Sequence, residues 1–294
     1  MALENRRLLF SLAHPDDESF GYAGTLARYT SQDVDVHLIC ATNGDVGTVS
    51  EELMEGFPSV AALRLWELAC AARTLDLSKV HTFGYRDSGM QGSPDNEHPN
   101  ALAAQDIDEV TRRVTHVIRQ VRPQVVVTFD PDGGYGHPDH VAIHHATVRA
   151  FHAAGDATRY PEQLEAGLAP YQPQKLYYGT FSRKLMRFLV NIMPLFGADP
   201  TRMGRNKDMN YKEIVKNEWP IHARIGVGDY QDVVQQAWDC HASQQFTGGG
   251  LLTRVVSHIL RSDDTYMRAH PPANGKLRES DLFEGVVFQE TEVD

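Results

Sequence analysis

The chain has 294 residues, of which 41% are hydrophobic and 23% are charged, proportions that are ordinary for a folded protein of enzyme size. Its 28 basic and 39 acidic side chains give a formal net charge of −11, which argues against general binding of nucleic-acid backbones or anionic membranes. Fourteen histidines accompany only three cysteines. Because histidine is a frequent metal ligand and the usual acid or base near neutral pH, this excess points to a metal or acid–base site.

The first half of the chain alternates short apolar runs with longer segments of helical periodicity. In chain order the pattern predicts strand 8–13, helix 18–30, strand 34–41, a helix capped by Ser59, strand 79–84, helix 104–122, strand 124–130 and helix 138–153. This alternation predicts an α/β fold, a Rossmann-like, doubly wound and mostly parallel sheet with helices on both faces. In such sheets the functional side chains collect in loops at the carboxyl ends of the strands.

The second half is less regular and is expected to form an irregular C-terminal lobe that completes the pocket. After a proline-containing loop at 154–172, the pattern predicts strands 175–181, 221–228 and 283–288 and helices 229–244 and 251–262. The stretch 182–220 carries no motif that can be assigned. No internal repeat or low-complexity tract divides the chain, so 1–294 is expected to be one domain, with 1–153 as its Rossmann-like core and 154–294 as the lobe.

The cysteines and the apolar segments favour a cytoplasmic protein. Cys40, Cys70 and Cys240 are far apart and form no C-x-x-C pair, which argues against a disulfide framework or a thiolate zinc site. The N-terminal residues lack the pattern of a signal peptide. The longest other apolar stretch, 188–198, is well short of the roughly 20 residues that a membrane helix needs. The sequence therefore predicts a protein of the reducing cytoplasm with no membrane partner.

Two strand ends carry the same chemistry-bearing residue types. The segment A-H-P-D-D-E at 13–18 follows the first predicted strand, and D-P-D-G-G-Y-G-H-P-D-H at 130–140 follows the fourth. If these strands are neighbours, as in the usual doubly wound order, both loops face one crevice.

A metal site with an open position fits the side chains of these two loops. Two imidazoles and one carboxylate from separate loops make the three-ligand arrangement typical of catalytic zinc, and the predicted ligands are His14, Asp17 and His140. Asp16 is then placed to take a proton from a metal-bound water. His144 lies four residues after His140 on the same helix face, where it is either a support for the ligands or a structural histidine.

Two other classes of protein share part of this pattern. Two histidines and one aspartate also make the facial triad of non-haem iron oxygenases. However, the predicted strand–helix alternation is unlike the all-β pattern of those enzymes, and an oxygenase mechanism would give Asp16 and His137 no role. A metal-containing sugar-binding module without turnover is the non-enzymatic alternative, and it predicts binding without release of acetate.

Four motifs in order resemble those of the PIG-L/LmbE-type metal-dependent N-acetylglucosamine deacetylases. They are A-H-P-D-D-E-S at 13–19, G-Y-R-D-S-G-M at 84–90, G-G-Y-G-H-P-D-H at 133–140 and H-A-S-Q at 241–244. The resemblance spans about residues 7–245 and is strongest for the longer bacterial members that act in low-molecular-weight thiol biosynthesis or detoxification. It implies zinc, which iron replaces in some members, at His14, Asp17 and His140.

The resemblance also implies roles for further positions. It implies Asp16 as general base, His137 as the group that stabilises the oxyanion or protonates the leaving amine, and Tyr135 as a mobile group that helps to polarise the carbonyl. The positions that match substrate contacts or line the site are Arg64, Asp87 and His241.

The implied reaction is removal of an N-acetyl or related acyl group from an N-acetylglucosamine-type amino sugar or its conjugate. The expected partner is therefore a small-molecule substrate, not nucleic acid, and formation of a homo-oligomer is left open. After Ser19 the chain carries Phe20 and Tyr22 and lacks the lysine associated there with thiol-conjugate amidases. A thiol-conjugate amidase of the same family is thus the alternative, and the aglycone, the acyl group and the native metal stay open.

Overall fold

The structure is a computed structural model that describes residues 2–3, 5–203, 209–245, 262–288 and 290–291. Its strands are β1 (Ala2–Leu3), β2 (Arg7–Leu12), β3 (Asp35–Thr42), β4 (Lys79–Tyr85), β5 (Val125–Phe129), β6 (Lys175–Thr180), β7 (Ala223–Gly226), β8 (Asp263–His270) and β9 (Glu290–Thr291). Its α-helices are α1 (Asp17–Thr30), α2 (Val60–Thr74), α3 (Ile107–Val121), α4 (Gly133–Gly136), α5 (Pro138–Ala153), α6 (Pro161–Glu165), α7 (Lys184–Ile192), α8 (Tyr211–Ile214) and α9 (Gln231–Cys240). None of these helices is both long enough and apolar enough to cross a lipid bilayer.

Seven strands form one sheet in the order β4-β3-β2-β5-β6-β8-β7. The first five strands in this order are parallel, and β8 runs antiparallel to both β6 and β7. Leu8 of β2 pairs with Val36 on one side and with Val125 on the other. The chain runs outward from β2 through β3 to β4 and then returns to β5, so the topological switch point lies between β2 and β5. The predicted doubly wound, mostly parallel sheet is confirmed, and so is the prediction that the two motif-bearing strands are neighbours in it.

The two central strands are apolar along most of their length because both sheet faces are covered. Leu8, Leu9 and Phe10 in β2 are fully buried, and so are the three valines 125–127 in β5. Helices α3 and α5 pack together and both contact β2, whereas α1 and α2 each pack on α9. A well-buried pair of strands therefore carries the loops that hold the motifs.

The chain after residue 153 departs from the sequence prediction in its secondary structure. The predicted strand 283–288 is wrong, since 283–285 form a turn and 286–288 have no regular secondary structure. The Asp281 side chain accepts the Phe283 amide at this turn. The apolar run reflects burial of Phe283 against the Tyr29 ring, 5.6 Å between centroids, and not strand pairing. Strand β8 and helix α7 were not predicted, and the predicted helix 251–262 lies outside the described residues.

A disulfide joins Cys70 and Cys240, whose Cα atoms are 5.7 Å apart. The prediction that the cysteines would stay unpaired is therefore wrong for these two, whereas Cys40 is free and buried as expected. Cys70 lies on α2 and Cys240 ends α9, and packing of these helices brings together residues 170 positions apart. The prediction of a reducing compartment loses the support that it took from these two cysteines.

Candidate active site

The ends of β2 and β5 bring three predicted metal ligands together. His14 follows β2, Asp17 begins α1, and His140 lies in the first turn of α5. His14 Nδ1 is 3.1 Å from His140 Nε2 and 3.6 Å from Asp17 Oδ2, and Asp17 Oδ1 is 3.2 Å from His140 Nε2. Three donor atoms from two loops thus converge on one point.

This donor set fits a divalent metal. Ligand atoms at tetrahedral bond lengths of about 2.0–2.1 Å are separated by roughly 3.3 Å, which is the middle of the range seen here. Two imidazoles and a carboxylate suit Zn²⁺, and the same set suits Fe²⁺. All three side chains are buried or nearly so. The residues present can therefore hold the metal that the sequence resemblance implies.

Asp139 supports His14 from the opposite side and was not predicted. It is fully buried, its Oδ2 lies 3.1 Å from His14 Nε2, and the same atom accepts the Ser88 amide at 2.8 Å. A carboxylate on one imidazole nitrogen fixes the tautomer that leaves the other nitrogen available to a metal. The residue stands in the H-P-D-H motif beside His140, but its spacing gives no sign that it reaches across to His14.

Asp16 points away from its neighbour Asp17 and toward Arg64. Its Oδ2 lies 3.0 Å from Arg64 Nη2. Burial raises the pKa of Asp16 to about 6, although the positive charge of Arg64 acts to lower it. A carboxylate with a pKa near neutrality is well matched to general-base work.

Arg64 is buried and holds the loops around Asp16. Its guanidinium donates to the carbonyl oxygens of Pro15 and Gly44 in addition to its ion pair with Asp16. A Cβ at Gly44 would lie 2.9 Å from this guanidinium, so the glycine allows the close approach. The structure thus places Arg64 against the candidate base, whereas the resemblance implies a contact with the sugar.

His137 and Asp87 lie on the far side of His14. His137 Nε2 is 3.8 Å from Asp87 Oδ1, which in turn is 3.6 Å from His14 Nε2. Burial and the neighbouring imidazoles lower the pKa of His137 to about 3, so this ring is neutral. Its Nδ1 accepts the Asp139 amide at 3.2 Å, and the ring proton is therefore on Nε2. His137 presents a neutral N–H donor to the site.

Tyr135 completes the side of the site next to His140. The two ring centroids are 4.9 Å apart. Burial raises the pKa of Tyr135, so its phenol stays protonated and can donate a hydrogen bond.

The loop that carries Tyr135 is fixed by an arginine of the C-terminal lobe. Arg183, which is 1% exposed, donates to Asp130 Oδ2 at 2.8 Å, to Asp132 Oδ2 at 3.1 Å and to the Gly134 carbonyl at 3.0 Å. Asp130 also accepts the Gly134 amide at 2.9 Å. Arg183 was missed because it lies in the stretch 182–220, where the sequence carries no motif.

His241 lies behind Asp16 and is fully buried. Its Nε2 is 2.7 Å from Glu18 Oε1, and Glu18 Oε2 accepts the Asp16 amide at 3.0 Å. Glu18 is the last letter of the A-H-P-D-D-E motif and had no predicted role. His144 Nδ1 lies 2.8 Å from the Phe129 carbonyl oxygen at the end of β5, a contact that favours a structural role for this histidine.

Comparison with known proteins places the chain among deacetylases. The family profile described as PIG-L, GlcNAc-PI de-N-acetylase, matches residues 9–151. A 1D-myo-inositol 2-acetamido-2-deoxy-alpha-D-glucopyranoside deacetylase from Streptomyces avermitilis is 34% identical over 97% of this chain and 98% of its own length. A relative from Catenulispora acidiphila has the same name with the number 2 added, and it is 39% identical over 91% of this chain and 90% of its own length. The enzyme of this name from Kineococcus radiotolerans is 47% identical, but the match spans 58% of this chain and 51% of that relative.

Solved structures show the same fold at low sequence identity. N,N'-diacetylchitobiose deacetylase from Pyrococcus horikoshii has a TM-score of 0.61 at 20% identity and covers 90% of this chain and 84% of its own. The 4-carboxy-2-hydroxymuconate hydratase from Pseudomonas putida has a TM-score of 0.56 at 17% identity over 92% and 99% of the two chains. Since a hydratase shares the architecture, the fold alone does not identify the reaction.

Proposed function

Since the chain belongs to the PIG-L family, we propose that it is a zinc-dependent hydrolase that removes the acetyl group from an N-acetylglucosaminyl conjugate. The aglycone that we propose is 1D-myo-inositol, because the relatives that match nearly the whole chain are named for that substrate. The observation that carries the proposal is the convergence of His14, Asp17 and His140 beside a separate carboxylate, Asp16, whose pKa is near 6.

Amide hydrolysis needs an activated water, a base that accepts its proton and an electrophile for the carbonyl oxygen. When bound at His14, Asp17 and His140, the metal supplies Lewis acidity toward water and the carbonyl. Asp16 is within electrostatic reach of both Asp17 and His14, and we assign it to accept the proton of the attacking water. Arg64 keeps the Asp16 carboxylate oriented through the 3.0 Å ion pair.

The remaining groups stabilise negative charge and complete the proton balance. His137 Nε2–H and the Tyr135 phenol are neutral donors on either side of the ligands, and both are suited to a developing oxyanion. When the carbon–nitrogen bond breaks, the departing amine takes up the proton that Asp16 accepted. The products are acetate and a free amino sugar. We assign Asp87, which faces the same side as His137, to a sugar hydroxyl.

The test is the Asp16→Asn variant, which keeps the shape of the side chain and removes the base. We expect the rate of acetate release from N-acetylglucosaminyl-inositol to fall about 10²–10⁴-fold, the usual worth of a general base, with the bound zinc content unchanged. Asp229→Asn, at an exposed position outside the site, is the matched control and should leave the rate unchanged. A near-normal rate for Asp16→Asn at full metal content would remove Asp16 from this role. Sugar binding without any acetate release by the zinc-loaded wild type would instead support a non-catalytic binding module.

A further inference from the structure

A cavity of about 460 Å³ opens directly beside the metal ligands. Asp17, His140 and Tyr135 line one end of it. The walls beyond them are mainly apolar, and their larger side chains are Phe20, Tyr22, Phe129, Phe181, Val227 and Val234. The methyl of an acetyl group is about as large as one water, roughly 30 Å³, so the cavity offers roughly fifteen times the room that this methyl requires.

Aromatic rings form a continuous wall that leads from a metal ligand into the cavity. Phe129 stacks on His140 with 3.9 Å between centroids and 11° between ring planes. Tyr22 follows at 6.2 Å from Phe129, and Tyr266 follows at 6.3 Å from Tyr22. An apolar chain that enters beside His140 would therefore stay in contact with hydrophobic surface along its path.

Two polar side chains that line the far end of the cavity, Asp264 and Tyr266, both bond to Thr25. Asp264 Oδ2 accepts hydrogen bonds from the amide and the hydroxyl of Thr25, at 2.9 and 2.7 Å. Tyr266 donates its hydroxyl proton to the Thr25 hydroxyl at 2.7 Å. Because these groups already have protein partners, an apolar ligand beside them would not leave them unsatisfied. Thr180 Oγ1 also lines the cavity and has no hydrogen-bond partner among the described residues, and Asp263 lines its exposed rim.

The cavity and the residue that we assign to the sugar lie beside different ligands. Asp87 is 3.6 Å from His14 Nε2, whereas the cavity is lined by Asp17, His140 and Tyr135. An amide held at the ligands with its sugar toward Asp87 directs its acyl substituent toward the cavity. We propose that the cavity is an acyl pocket and that the enzyme releases medium-chain unbranched acyl groups in addition to acetyl. This inference rests on the proposed function.

The cavity is large enough for a chain of about eight carbons. If each carbon takes about the volume of one water, the tail of an octanoyl group occupies roughly 200 Å³, which leaves space for imperfect packing. Each buried methylene contributes about 0.8 kcal/mol, roughly a fourfold gain in binding, so even partial burial of the tail favours the longer substrate.

Gly21 provides the variant that tests this pocket. It lines the cavity from α1, and a Cβ built on it meets no atom within 4 Å. Because Gly21 is exposed, Gly21→Leu adds a side chain at the rim of the cavity and narrows its mouth without a clash. Gly275 has equally open surroundings and stands outside the cavity lining, so Gly275→Leu is the matched control.

The experiment measures amine release from N-acetyl and N-octanoyl glucosaminyl-inositol, which share one aglycone. We expect the wild type and Gly275→Leu to hydrolyse both substrates. Gly21→Leu should lower the octanoyl-to-acetyl ratio of kcat/KM by about tenfold or more, since a narrowed mouth prevents the burial of several methylenes. Octyl N-acetylglucosaminide, which carries its apolar chain on the aglycone, is the third substrate, and its rate relative to that of the acetyl substrate should not fall in Gly21→Leu.

Each contrary outcome identifies which step fails. Hydrolysis of the acetyl substrate alone by the wild type overturns the acyl pocket and leaves the proposed function standing. An octanoyl-to-acetyl ratio that Gly21→Leu does not change overturns it too. A selective loss of the octyl glycoside in Gly21→Leu assigns the cavity to the aglycone. Failure of the zinc-loaded wild type on all three substrates overturns the proposed function and the inference with it.

Discussion

Asp139→Asn tests whether the carboxylate behind His14 sets the strength of metal binding. The substitution keeps the size of the side chain and removes the negative charge from a residue that is fully buried. Asp139 Oδ2 faces His14 Nε2 at 3.1 Å and the Ser88 amide at 2.8 Å. An asparagine oxygen can still accept one of these hydrogen bonds, so the local fold should survive.

The expected effect is on affinity for the metal. A carboxylate beside a ligating imidazole increases its basicity and holds its orientation, and loss of such a partner typically costs 10–100-fold in affinity. This corresponds to about 1.4–2.7 kcal/mol of binding free energy. Because the metal-binding face of the imidazole is unchanged, the variant should recover activity when enough zinc is added.

Competition with a chromophoric zinc chelator measures this affinity, and acetate release at rising zinc concentration measures the recovery. Asp281→Asn is the control, because Asp281 also accepts hydrogen bonds from a tyrosine and a backbone amide but lies away from the ligands. A zinc affinity of Asp139→Asn within about twofold of the wild type would refute the role, since it falls far outside the 10–100-fold range. Loss of activity that excess zinc does not restore would show that Asp139 acts on catalysis by another route.

Two further predictions concern the elements that tie the C-terminal lobe to the site. Arg183→Met leaves the buried Asp130 without its cation, which should cost about 3–5 kcal/mol of stability and lower kcat through the Tyr135 loop. Thermal unfolding measures the loss of stability, and steady-state kinetics measure kcat. Arg159→Met, which removes an exposed ion pair, is the control and should change stability and kcat little. The Cys70→Ser/Cys240→Ser double variant should have a free energy of unfolding about 2–4 kcal/mol lower than that of the oxidised wild type. Dithiothreitol should lower the Tm of the wild type and not that of the double variant, and an equal response of the two would contradict the pairing.

The sequence was sufficient to predict the sheet and the convergence of His14, Asp17 and His140 because both depend on local patterns. Alternating strand and helix periodicity indicates a parallel sheet, and one topological rule then places the loops after β2 and β5 at a common edge. His14, Asp17 and His140 needed nothing more than that rule and their residue types. These three residues could therefore be proposed as ligands before any contact was known.

The supporting residues could not be chosen in this way because their partners are remote in the chain. Asp139 meets His14 across 125 positions, and His241 meets Glu18 across 223. Arg183 lies 53 positions from Asp130 and is surrounded by no recognisable motif. Each of these pairs depends on how helices and loops pack, which neither periodicity nor spacing reports. The disulfide was missed for the same physical reason.

The different directions of Asp16 and Asp17 follow from a strained backbone position between the strand and the helix. Asp16, immediately before α1, has φ of 131°, a region that side-chain-bearing residues rarely adopt and that costs about 1–3 kcal/mol. Several bonds hold it there: its amide donates to Glu18, its carbonyl accepts the Ser19 and Phe20 amides at 3.0 and 2.8 Å, and its carboxylate pairs with Arg64. Since a regular helical start would not impose this turn, the strained position lets Asp17 face His140 while Asp16 faces Arg64, as the proposed roles of ligand and base require.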